Sequence, residues 1–310
     1  MNPTKNIFSN KDRLAPMFVI IGASLWGVDG IILRPALYDL PVPLVVFIES
    51  TVVVVILSPY FIRKIPSLKA LDYKDWLAFF FVALLGGAIG TMAITKALFY
   101  VNFVNLSVVI LLQKLQPIFA ITLASIFLNE RLTKAFIFWA ALAVTGAYFM
   151  TFGTHLPELS TGDKTTVAAL FALLAAFSFG VSTVLSKRAL RNVSFEMGTY
   201  LRFFFSSIIM LVLVVSLGDM KSISEITTTQ MIIFLIIAFS TGGAAIFLYY
   251  YGLKRIKASV ASICELAFPL TAVVLEYFIR GNILTPVQWG GAIVLLFSII
   301  QITRINYSNP

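Results

Sequence analysis

The chain has 310 residues, 59% of them hydrophobic and only 12% charged, with a mean hydropathy of +0.95. That balance excludes a water-soluble partition into core and surface and makes the chain a polytopic membrane protein. The net charge of +9 implies no nucleic-acid partner, because the basic residues fall in short clusters between apolar runs, as loops beside a membrane do.

Lys5, Lys11 and Arg13 precede an apolar run that is too long, and lacks the small-residue exit, for a cleaved leader, so it reads as a first span. A helix rises about 1.5 Å per residue, so about 20 apolar residues cross a bilayer. Ten segments approach that length: 14–33, 44–62, 76–98, 106–128, 135–152, 165–185, 197–217, 231–253, 258–279 and 286–302. The expected fold is all-α, with ten transmembrane helices. The longest polar connection, 153–163, divides the chain into a first repeat 1–153, a linker 154–164 and a second repeat 165–310. With the amino terminus in the cytoplasm, sixteen Lys and Arg residues fall on that side and four on the other, and the carboxyl terminus is cytoplasmic too.

Five spans per half insert the halves oppositely. Trp26-Gly27 corresponds to Phe179-Gly180, Gly86-Gly87 to Gly242-Gly243, and Pro117 to Pro269. Inverted repeats of this kind are a transporter signature, since two pseudo-symmetric conformations open one central site to either side in turn. The paired glycines, with Gly90, read as close helix packing.

The fourth and ninth spans carry groups that an apolar segment should lack. Gln113, Lys114 and Gln116 share one face just before Pro117, and Ser262 and Glu265 lie before Pro269. A charge at mid-bilayer costs about 2.5–3.5 kcal/mol, so it faces an interior or a water path and has a partner. Each proline breaks its helix near those groups. Lys114 lies ~12 Å from one boundary and Glu265 ~10 Å from the other, so ~8 Å separates them along the normal of a ~30 Å layer. They can form a buried ion pair, although desolvation cancels most of its attraction. Alternatively they bind substrate, the lysine holding an anionic group and the glutamate an ammonium group or a proton, which suits an amino-acid-like zwitterion. Trp26 offers an aromatic platform, and Asp29, three residues on, shares its face. Asp29, Glu49 and Lys96 lie near the outer ends of the first three spans: the carboxylates pair with Lys96 or Arg34, or the group forms an outer gate or proton entry. Arg202 takes the position equivalent to Glu49, toward the inner side. Ser178, Ser182 and Ser186 bond back to their helix or line a cavity, and Tyr249, Tyr250 and Tyr251 sit as an interfacial aromatic belt or stack on substrate.

His155 is the one histidine and Cys264 the one cysteine, so no metal cluster, catalytic triad or intrachain disulfide is available. Gly162-Asp163-Lys164-Thr165 lacks the spacing of a phosphate loop. No cofactor and no enzymatic activity are expected.

The duplicated ten-span layout, Ala97-Leu98 before the fourth span, its proline, and the run Leu128-Asn129-Glu130-Arg131-Leu132-Thr133 after it resemble the EamA-type permeases of the drug/metabolite transporter superfamily. The second-half run 280–285 has Asn282 where the glutamate would stand. The resemblance implies eight helices around a central cavity, with the fifth and tenth at the periphery. It also implies a secondary transporter of a small polar metabolite, exporting it on a proton or substrate gradient. A multidrug or nucleotide-sugar carrier and a non-transporting membrane sensor are the alternatives. The expected partners are a small-molecule substrate and the lipid bilayer. The expected state is a monomer or homodimer in a bacterial inner membrane.

Overall fold

The computed structural model describes residues 14–62, 68, 71–100, 109, 112–156, 164–281 and 283–308. Among these the fold is all helix, without strands. The spans are α1 (Ala15–Val28, continued by a π-turn Asp29–Leu33 and a 3-10 turn Arg34–Leu37), α2 (Val42–Phe61) and α3 (Tyr73–Val82, π-helical Ala83–Ile89, Gly90–Tyr100). Next come α4 (Gln116–Phe127), α5 (Lys134–Phe152), α6 (Thr165–Ala189) and α7 (Phe195–Leu217). The last three are α8 (Thr228–Phe239 and Gly243–Leu253), α9 (Ala258–Cys264 and Ala267–Arg280) and α10 (Pro286–Ser308). Among the described residues nine of these are long and apolar enough to cross a membrane, and α4 is a shorter apolar helix. Much of 101–111, the start of the expected fourth span, lies outside the described residues, as do Lys5, Lys11, Arg13, Asn282 and most of the 154–164 linker.

Local chemistry sets the ends. Asp72 and Asp75 form a capping box at the start of α3, as do Thr227 and Gln230 at α8, while Thr133 caps α5 and Ser194 caps α7. Asn129 ends α4 at φ 54°, and the Glu130 N–H reaches back to the Ala124 carbonyl in the Schellman manner. Both charged breaks are turns: residues 114–115 precede α4, with Pro117 in its first turn, and Glu265-Leu266 separates the two parts of α9, with Pro269 in the first turn of the second.

The halves assemble as partners related by a pseudo-two-fold axis. α1 packs on α8 and α9, as α6 packs on α3 and α4, while α2 crosses α7 and α5 lies along α10. One contact shows the duplication at atomic detail. A Cβ on Gly27 would meet the Phe268 carbonyl, the Thr271 Cβ and the Ala272 nitrogen at 2.8, 3.0 and 3.3 Å. On Gly180 it would meet the Gln116 carbonyl, the Phe119 Cβ and the Ala120 nitrogen at 3.2, 3.0 and 3.1 Å. The two sets are the same three positions around Pro269 and Pro117, so each glycine lets α1 or α6 lie against the helix that follows a break. The protein is thus an all-α membrane protein of ten helices in two inverted five-helix repeats. Trp26, Gln113, Gln116 and Glu265 are all half-buried.

Candidate functional site

The break in α9 projects Glu265 between the repeats, where three helices supply donors. Gln116 Nε2 of α4 donates to Glu265 Oε2 at 2.7 Å, and Thr183 Oγ1 of α6 and the Tyr249 hydroxyl of α8 donate to Oε1 at 3.1 and 2.6 Å. All three donors are neutral, so the carboxylate is held by hydrogen bonds, the lowest-cost way to keep an anion out of water. Trp26 leans on the Tyr249 ring, with centroids 5.2 Å apart, and gives the site an aromatic wall. One residue further on, the Tyr250 hydroxyl lies 2.9 Å from Ser186 Oγ and accepts from Arg202 at 3.3 Å.

Several expectations change here. No ion pair joins Lys114 to Glu265: among the described residues Lys114 is buried, 8% exposed, without a polar partner. Tyr249 and Tyr250 are not belt residues but line the centre, and only Tyr251, under the Arg255 guanidinium at 3.7 Å, keeps that character. Two serines of α6 bond across rather than back, Ser182 to the Val82 carbonyl and Ser186 to Tyr250, while Ser178 Oγ is buried without a partner among the described residues. Ser262 donates to the Ser259 carbonyl at 2.9 Å, apart from the Glu265 cluster. Gln113 is half-buried beside Lys114. Thr183 and Arg202 have no place in the site from sequence alone, and Tyr249 has one only as a ring that could stack on substrate. The signal available for them was register, since Thr183 is three residues beyond Gly180 and Tyr249 six beyond Gly243.

The second constellation is centred on Arg34, not Lys96. Arg34 Nε donates to Asp29 Oδ2 at 2.6 Å, and its Nη2 lies 3.2 Å from Glu49 Oε1. Thr241 Oγ1, in the break of α8, donates to Asp29 Oδ1 at 3.1 Å, so the cluster ties α1 to α2 and α8. The Lys96 ammonium lies over the Phe171 ring at 5.8 Å, away from both carboxylates. At the opposite end of the bundle, the Glu130 carboxylate accepts from the Ala258 N–H at 2.6 Å, the Ser259 N–H at 3.0 Å and the Ser259 hydroxyl at 2.6 Å. It thereby caps α9 from the turn after α4.

Two inverted repeats that meet around a broken-helix site are the layout of a small-molecule transporter. The EamA-like transporter family matches residues 13–152 and 166–304, one match per half, and the chain belongs to that family. It is 47% identical over 291 residues to the riboflavin transporter ImpX of Fusobacterium nucleatum, covering 94% of this chain and 97% of that protein. It is 23% identical over 243 residues to the uncharacterized transporter sll1164 of Synechocystis, covering 76% and 68%. A solved structure titled "Crystal structure of protein" superposes with a TM-score of 0.72 at 14% identity, covering 94% of this chain and 96% of that one, a likeness of fold.

Proposed function

We propose that this protein carries riboflavin, or a flavin close to it, across the membrane by alternating access. The observation that carries the reading is the 47% identity to a riboflavin transporter along nearly the whole of both chains. The chemistry of the site agrees. A flavin presents a flat aromatic ring system, an edge of N–H and carbonyl groups and a polyhydroxyl chain, and it carries no charge at neutral pH. Trp26 and Tyr249 supply an aromatic wall beside a carboxylate acceptor, and Gln116 and Thr183 supply neutral polar groups around it.

The amino-acid-like solute suggested by unlike charges on α4 and α9 is not favoured, because the relative of 47% identity is a riboflavin transporter and neutral donors already satisfy Glu265. In this reading the repeats 1–153 and 165–310, joined by 154–164, rock about the Glu265 site. The Asp29–Arg34–Glu49 cluster ties one end and the Glu130 cap the other, so that one loosens while the other holds. Both termini are cytoplasmic, as the sixteen-to-four distribution of basic residues favours.

The test is counterflow of labelled riboflavin into proteoliposomes preloaded with unlabelled riboflavin, with and without a pH gradient. Accumulation above protein-free vesicles, competed by flavins and not by amino acids, is expected. No counterflow in vesicles that exchange amino acids would sink the reading.

A further inference from the structure

A cleft of about 570 Å³ lies away from the Glu265 site, between α3, α6 and α7. Its walls are apolar: Leu84, Ala88 and Met92 of α3, Leu174 of α6, and Ile209 and Leu213 of α7. It follows α3 from Phe80 to Lys96, a length of ~24 Å at 1.5 Å per residue. Among the described lining residues Lys96 alone is charged, and it stands at one end.

That end is built with care. The Lys96 ammonium lies 5.8 Å from the Phe171 ring, and the Lys164 ammonium 5.7 Å from the Tyr100 ring. Tyr100 and Phe171 stack on one another, with centroids 5.7 Å apart and planes 21° from parallel. Lys96 and Phe171 line the mouth of the cleft, and one helical turn on, Tyr100, stacked on Phe171, brings the second cation, Lys164, beside it. Among the described residues neither ammonium has an ion-pair partner. Two unpaired cations over rings, at the mouth of an apolar trough, attract an anion that carries a long apolar tail.

We propose that this cleft binds an anionic phospholipid, its headgroup at the end marked by Lys96 and Lys164 and one acyl chain laid along α3. A water-soluble solute fits poorly, because small-molecule sites need several convergent polar groups to orient the ligand and this cleft offers one. A long, apolar trough matches an acyl chain better than a compact ring system. The site is separate from the carrier site and does not depend on which solute is carried.

The experiment exchanges purified full-length protein with vesicles of equal parts phosphatidylglycerol and phosphatidylcholine bearing identical chains, then measures the lipid that stays bound by native mass spectrometry. The wild type should retain phosphatidylglycerol over phosphatidylcholine by about fivefold or more, as a site with two cations predicts. Lys96→Gln with Lys164→Gln should bring the ratio to about one. Lys96→Arg with Lys164→Arg should keep it, which separates loss of charge from loss of fold. Leu174→Trp, which fills the cleft, should lower retention of both lipids. Equal retention by the wild type, an unchanged ratio in the glutamine pair, or loss of the ratio in the arginine pair would overturn the proposal. So would full retention by Leu174→Trp. Displacement of the bound lipid by riboflavin would also overturn it, by making the cleft an entrance for solute.

Discussion

The Tyr249 hydroxyl donates to the Glu265 carboxylate at 2.6 Å, from a ring that also leans on Trp26. One side chain thus fixes both the polar and the aromatic part of the site. A hydrogen bond to a charged group contributes about 1.5–3 kcal/mol, and 1.4 kcal/mol is a factor of ten, so Tyr249→Phe should lower riboflavin counterflow about tenfold or more. Glu265→Gln should abolish it or change the solute preference. Membrane insertion, read by yield and a monodisperse elution profile, should be unaffected. Wild-type counterflow in both variants would remove Glu265 from the site.

Lys114 presents the opposite case, a buried cation for which no described side chain supplies an anion. Such a charge is kept at a cost to stability, which is the pattern of a functional residue. Lys114→Met, of similar length and without charge, should raise the melting temperature of the purified protein and abolish transport. A variant that is both more stable and fully active would make Lys114 dispensable to the carrier.

Arg34 answers two acids at once, so its removal should be costly. Arg34→Ala leaves Asp29 and Glu49 facing each other in a largely buried cluster, with an expected loss of about 3 kcal/mol. Arg34→Lys should recover part of it, because a single ammonium cannot reproduce the fork. Thermal melting in detergent reads both. Lys96→Ala, by contrast, should leave the melting temperature within a degree or so of wild type, since it touches neither carboxylate.

The choice of Arg34 over Lys96 also shows where reading the sequence stops. In a regular helix Asp29 and Arg34 point about 140° apart. The π-turn over Asp29–Leu33 instead bonds the Arg34 N–H to the Asp29 carbonyl, five residues back, and stacks the two side chains. No composition signal marks that turn. The breaks before Pro117 and Pro269 were legible because charge and proline together cannot continue an apolar helix. The partners of Glu265 were not, because which face of α8 looks inward is decided by α1 packing on it. Three consecutive tyrosines before Lys254 and Arg255 read as one belt, yet helical geometry turns Tyr249 and Tyr250 inward and leaves Tyr251 with Arg255.

Glu130 reaches from the turn after α4 to three donors at the first turn of α9, which makes it the tie across the end of the bundle opposite Arg34. Loss of a helix cap costs about 0.5–2 kcal/mol, enough to shift a two-state opening about two- to thirtyfold. The protein carries its own reporter: Cys264, the one cysteine in the chain, ends the helix that Glu130 caps and is fully buried in this conformation. Glu130→Ala should raise the rate at which a water-soluble maleimide labels Cys264 by about fivefold, as expected from a population shift of about 1 kcal/mol. Saturating riboflavin, by holding the repeats together at Glu265, should slow labelling in wild type and variant alike. Equal labelling rates in Glu130→Ala and wild type would mean that the cap only finishes a helix. The opening of that end would then have to be sought in the bonds from Lys187 to the Leu253 and Lys254 carbonyls, or from Asn192 to Asp75.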